Sequence, residues 1–166
     1  MIKQQSAISN LQFIKLGGSL ITEKEAPKAT PRPEVLARLV EEIADAQAAD
    51  PDLRILLGHG SGSFAHRPAK KHRTRTSVQG AAAWRGFVEV WQQAAALNRL
   101  VMDALAAADL PAIAFPPSAS VMTQDGEIIR WATAGIRAAL HAGLLPVVYG
   151  DVAFDSQRGG TILSTE

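Results

Sequence analysis

Leu53-Arg54-Ile55-Leu56-Leu57-Gly58-His59-Gly60-Ser61-Gly62-Ser63-Phe64-Ala65-His66 joins a short apolar run to a loop made largely of glycine and serine. An apolar run of this length, closed by such a loop, reads as a strand buried on both faces, the kind found in parallel sheets. The loop then places backbone N–H and side-chain O–H donors at the carboxyl end of the strand, where open α/β sheets bind their ligands. His59 follows the strand directly and is expected to hydrogen-bond backbone. His66 ends the loop and is better placed to touch a bound anion.

The same strand pattern recurs at Leu11 to Leu16, Pro111 to Phe115 and Leu144 to Tyr149. Helical patterns lie between these runs. Leu36, Leu39, Val40 and Ile43 follow the i, i+3, i+4, i+7 spacing of one apolar stripe, entered through Thr30 and Pro31 and stopped at Asp50-Pro51. A longer helix is predicted from about Ala81 to Ala108, with Trp84, Phe87, Val88, Trp91, Val101, Met102 and Leu105 recurring at three- and four-residue intervals. A third runs from about Thr133 to Ala142 and ends at Gly143, a residue suited to the left-handed position after a helix. Alternating strands and helices imply βαβ crossovers. The fold class is therefore α/β, with an open, mostly parallel sheet flanked by helices on both faces. Two accessory β-hairpins are predicted, Val121 to Ile129 around Asp125-Gly126 and Val152 to Leu163 around residues 156–160, as lids or interface flaps.

The bulk properties narrow the function classes. At 166 residues and 47% hydrophobic, the chain fits a single domain with a sizeable core. Its 17 basic and 16 acidic side chains nearly cancel, so nothing draws the whole molecule to nucleic acid or to an anionic membrane, and any anion must be bound locally. The chain has no cysteine, which excludes disulfides and thiolate metal sites. The N-terminal ten residues are polar, and no apolar stretch approaches the ~20 residues of a membrane span, so a cytoplasmic protein is expected.

Lys15-Leu16-Gly17-Gly18-Ser19 closes the first strand. Adjacent glycines let backbone N–H groups approach an anion closely, and a strand-end lysine offers a point charge to a phosphate, although Gly-Gly after a strand also serves as a plain turn. It is not a Walker A sequence, which needs a longer glycine spacing. Two such loops on neighbouring strand ends point to phosphate far more strongly than one. The basic run Arg67, Lys70, Lys71, His72, Arg73 and Arg75 reads as solvated loop that also adds positive potential at the mouth of the site. Gly150-Asp151 brings a carboxylate to a fourth strand end, either to cap a turn or to act in the site.

Taken in order, Lys15 to Ser19, the Gly60 to His66 loop, Pro116-Pro117-Ser118, Val148 to Val152 and Gly160-Thr161-Ile162-Leu163-Ser164 resemble the isopentenyl phosphate kinases of the amino-acid-kinase superfamily. Ser63-Phe64-Ala65-His66 is similar to that family's Ser-Phe-Gly-His, with Ala65 as a departure, and His66 separates it from acetylglutamate, uridylate and glutamate kinases. The resemblance implies that Lys15, Gly17, Gly18, Ser19 and Lys24 contact the ATP phosphates and that Gly62 lies between donor and acceptor phosphates. It places Gly60, Ser61, His66, Gly150, Asp151 and Thr165 on the acceptor side, and makes Lys15 and His66 the catalytic pair. ATP with Mg²⁺ is the implied cofactor set, isopentenyl phosphate the implied substrate, and no metal ligand is identified on the chain itself. Fosfomycin-type kinases resemble the same histidine-ended loop, and a non-catalytic phosphate-binding or dimerising module is the other class. The large residues of the long helix are expected to serve as core and, at Phe87, Val88 or Trp91, as a wall for the prenyl tail. The family motif ends in Ser-Gly-Asp where this chain reads Ser164-Thr165-Glu166. Residues 1–166 are expected to form the N-terminal substrate-binding domain alone, without the C-terminal nucleotide-binding part, impaired by itself and completed by a homodimer partner or a complementary chain.

Overall fold

The computed structural model describes residues 8–23, 26 and 28–165. In chain order the first half comprises β1 (Leu11–Leu16), α1 (Gly18–Ile21), α2 (Pro33–Ala49), β2 (Arg54–His59), α3 (Gly62–His72) and α4 (Gly80–Ala107). The second half comprises β3 (Ala112–Ala114), α5 (Pro117–Ser120), β4 (Val121–Gln124), β5 (Glu127–Trp131), α6 (Ala134–His141), β6 (Leu145–Tyr149), β7 (Asp151–Asp155) and β8 (Gly159–Leu163).

The central sheet has the order β1-β2-β6-β3, and every pairing in it is parallel. Alternation along the strands sends Leu16, Ile55, Leu57, Leu145 and Val147 to one face, where Leu36, Val40 and Ile43 of α2 and Leu97, Val101 and Leu105 of α4 close over them. Each such side chain contributes roughly 1.5–3 kcal/mol on burial, so this layer is what holds the strand ends in place. The opposite face also carries a helix, as expected of a sheet flanked on both sides, but one that covers it only in part. There α6 packs against β6 and β2, while Phe13 and Ile113 stay 73% and 42% exposed. Phe13 and Ile113 lie on outer strands of the sheet, and helical periodicity alone cannot say how far one helix reaches across it.

The two predicted hairpins form, but not as separate flaps. β4 turns into β5 through Asp125 and Gly126, both at positive φ (51° and 86°), as a two-residue hairpin of the type I′ class requires. β7 and β8 pair antiparallel, and β4 runs parallel to β7 with Thr123 opposite Asp155, which fuses both hairpins into one sheet of order β5-β4-β7-β8. Asp155 fastens the joint. One of its carboxylate oxygens accepts the Thr123 hydroxyl at 2.7 Å and the Gly126 N–H at 2.8 Å, and the other accepts N–H groups of Asp125, Gln157 and Arg158 at 2.8–3.2 Å. Burial pushes this carboxyl up, but the donors outweigh it and hold the acid well below the usual carboxylate range.

The basic run after His66 is helix as far as His72, not solvated loop, and turns at Arg73 and Arg75. Pro68 inside α3 hides it, since proline forfeits an i→i−4 hydrogen bond and normally ends a helix. Burial of Phe64, Ala65, Pro68 and Ala69 offsets that loss. Arg73 closes α3 in the left-handed conformation, φ 52°, and His72 bonds Glu89 of α4 at 2.6 Å.

Candidate functional site

β1 and β2 are adjacent and parallel, so the loops that follow them emerge side by side. A Cβ on Gly18 would come within 2.5 Å of the Gly62 nitrogen, and one on Gly60 within 2.8 Å of the Gly18 nitrogen. Only glycine permits this approach of two backbones, and Gly62 also adopts φ 48°. Next to this seam lies a cavity of about 580 Å³ lined by Lys15, Gly17, Gly18 and Ser19 from the first loop and by Gly60, Ser61, Gly62, Ser63 and His66 from the second. Gly150 completes the wall at the end of β6. A Cβ there would lie 3.2 Å from the nitrogen and hydroxyl of Ser61.

The lining carries cationic and N–H donor groups, Lys15, His66, Arg67 and Arg75 among them, and no carboxylate among the described residues. That donor set suits phosphate oxygens. It does not suit Mg²⁺, which takes carboxylate and other oxygen ligands, and no cluster of three metal-ligating side chains occurs among the described residues.

His59 and His66 lie in different surroundings. The His59 ring is buried, with Nδ1 3.1 Å from the Gly60 carbonyl, Nε2 3.1 Å from Asn98 Oδ1, and its face stacked on Tyr149. Burial lowers its pKa and keeps the ring neutral. His66 projects from the first turns of α3 and lines the cavity.

Other candidates lie elsewhere. Asp151 is fully buried outside the cavity lining, and its carboxylate accepts the N–H groups of Ser118 at 3.1 Å and Val152 at 2.8 Å. Burial pushes its pKa up against those bonds. It fastens α5 to β7, the turn-capping arrangement, and does not line the cavity. Thr165 lines a second, apolar cavity of about 320 Å³ with Phe13, Leu56 and Trp131, which shares Lys15, Leu163 and Ser164 with the first but none of its glycines. Lys24 and Glu166 fall outside the described residues.

The wall expected from α4 is corrected too. Phe87, Val88 and Trp91 are absent from the lining. Phe87 is core, packed on Trp84 and Phe154 behind Gly160, and Val88 and Trp91 are 45% and 42% exposed. The apolar part of the cavity is made instead by Ala65 and Ala69 of α3 with Ile162 and Leu163 of β8. Thr22, which also lines the cavity, carried no sequence signal, because the bond that sets it apart is made 41 residues away, at Ser63.

The profile of the amino acid kinase family matches residues 10–166. The chain belongs to that family. Within this amino acid kinase family, the chain is 35% identical over 150 residues to the isopentenyl phosphate kinase of Methanothermobacter thermautotrophicus, covering 88% of this chain and 55% of that protein. The isopentenyl phosphate kinase of Methanocaldococcus jannaschii is 30% identical over 165 residues, with 93% of this chain and 60% of that one covered. An X-ray structure of an isopentenyl phosphate kinase superposes with a TM-score of 0.84 at 32% identity, covering 93% of this chain and 63% of that one. The chain thus spans between 55% and 63% of the length of these relatives. No helix among the described residues is long and apolar enough to cross a membrane.

Proposed function

We propose that this amino acid kinase transfers the γ-phosphoryl group of ATP to the phosphate oxygen of isopentenyl phosphate, giving isopentenyl diphosphate and ADP. The observation that carries the reading is the seam at Gly18, Gly60 and Gly62, which brings two phosphate-type loops from adjacent strands into backbone contact on one cavity with Lys15 and His66. Similarity to isopentenyl phosphate kinases supports the choice of acceptor.

In this reading the loop of Gly17, Gly18 and Ser19 holds the donor phosphates, and Gly60, Ser61 and Gly150 surround the acceptor phosphate, which His66 contacts. The nucleophile is already an anion and needs no strong general base. The protein's part is to bring two polyanions together and offset their repulsion, through Lys15, His66 and the loop N–H groups. Among the described residues the lining supplies no carboxylate to hold Mg²⁺, so such an ion would be held by the nucleotide's own phosphates and would supply charge neutralisation there. The prenyl tail lies along Ala65, Ala69, Ile162 and Leu163.

Incubation of the purified protein with ATP and isopentenyl phosphate, with product separated by chromatography, tests the assignment. Isopentenyl diphosphate formation that excess fosfomycin does not suppress is the expected result. Transfer to fosfomycin and not to isopentenyl phosphate would move the protein to a phosphonate kinase.

A further inference from the structure

We propose that Thr22 is a positioning residue that sets the spacing between the two phosphate seats. The inference rests on reading the cavity as a site for two phosphates. Thr22 is 1% exposed, and its hydroxyl is used twice. It donates to the Gly18 carbonyl at 2.7 Å and accepts the Ser63 N–H at 3.1 Å. Gly18 belongs to the loop after β1, and Ser63 lies in the first turn of α3, the helix that carries His66. One oxygen therefore ties the two loops together beside the seam where Gly18 and Gly62 already touch.

Two attachments constrain more than one. The ladder through Leu16 and His59, the Gly60 N–H bond to the Leu16 carbonyl at 3.0 Å and the glycine seam hold the loop bases together, and the hydroxyl bridge adds a constraint further out, between the Gly18 loop and the start of α3. The hydroxyl's single proton is committed to Gly18, so Thr22 cannot donate to a phosphate while the bridge holds. It acts on ligands only through the loops. Removing the bridge leaves a backbone N–H and a carbonyl without a partner at the seam, where small misplacements of reacting groups are costly to rate.

Thr22→Val removes the hydroxyl at nearly constant shape, and Thr22→Ser keeps it. Orthophosphate, which occupies one seat, and tripolyphosphate, which spans both, serve as calorimetric probes. Thr22→Val is expected to bind orthophosphate within about threefold of the unsubstituted protein and tripolyphosphate about tenfold or more weakly, with Thr22→Ser restoring the second. In the kinase assay the same variant is expected to lose about 100-fold in kcat with each KM within about threefold. Equal tripolyphosphate affinity in Thr22→Val and the unsubstituted protein overturns the proposal whatever the kinase assay gives. A parallel loss of orthophosphate places Thr22 on the anion itself and also overturns it. If Thr22→Val does not fold, Thr22→Ser carries the test, and tenfold weaker tripolyphosphate binding with the hydroxyl present overturns it. Tripolyphosphate binding that depends on Thr22, without transfer to isopentenyl phosphate, would defeat the kinase reading and leave the bridge standing. No tripolyphosphate binding at all would defeat both.

Discussion

Two regions of this molecule gather backbone N–H groups around a place for negative charge, and they differ in where the charge comes from. At the turn end of the hairpin sheet the chain supplies its own anion, Asp155, with a donor on every side. At the glycine seam the donors line an open cavity that contains no acidic side chain among the described residues. The internal anion makes the first arrangement a fastening. Its absence from the second leaves room for the phosphates proposed above, and in that reading the same backbone chemistry serves stability in one place and ligand recognition in the other.

The largest effect should come from closing the seam. Gly62→Ala introduces a Cβ against the Thr22 hydroxyl and the Gly18 carbonyl at a residue held at positive φ, so turnover is expected to fall at least about 100-fold, read in the kinase assay. Retained turnover would show that the two loops do not need their contact. Removing a donor from the cavity should do less. His66→Ala is expected to weaken isopentenyl phosphate binding by about 1.5–3 kcal/mol, the range for a hydrogen bond to a charged group, with an unchanged melting temperature. Unaltered affinity by calorimetry would take His66 off the acceptor.

The internal anion should respond in the opposite way, losing stability and keeping ligand. Asp155→Ala is expected to cost about 2–3 kcal/mol by denaturant unfolding, with phosphate affinity unchanged. Its pH dependence has a definite sign. The folded-state pKa of Asp155 is depressed, so its contribution is complete above the unfolded value of about 3.9 and is lost as pH falls through the folded value. Asp151, raised by burial, works the other way. Its ionisation opposes folding, so its contribution improves as pH falls through its raised folded-state value. Asp155→Asn should therefore flatten the acid limb of the stability profile, and a limb unchanged in that variant would assign it to other groups.

The smallest effect is expected along the tail. Ala69→Val or Ile162→Ala should shift preference among alkyl phosphates gradually, by about 1–3 kcal/mol per methylene, measured as ratios of kcat/KM. Substitution at Val88 or Trp91, which are exposed and outside the cavity lining, should leave the ratios alone. A shift at Trp91 with none at Ala69 would reverse this placement.

What sequence alone settled here is what short-range chemistry dictates. The four apolar runs are the four parallel strands, and the helices at 33–49, 80–107 and 134–141 follow their apolar periodicity to within a few residues. Asp125-Gly126 turns where the left-handed preference of those residues says it must. The two glycine loops were legible too, as loops at the ends of neighbouring strands, and their use for phosphate is the reading proposed above. Tertiary structure alone decided the rest, and in each case the deciding partner is distant in sequence. Helix α3 survives Pro68 because its apolar side packs against α4 and β6–β8 residues far along the chain. The hairpins become one sheet only when Thr123 meets Asp155. Phe87, periodic with true core residues, is indistinguishable from a pocket wall until Gly160 and Phe154 are placed against it. Thr22, an ordinary threonine in the sequence, becomes a bridge because the parallel pairing of β1 and β2 carries Ser63 to its hydroxyl, a consequence of strand order that no local pattern encodes.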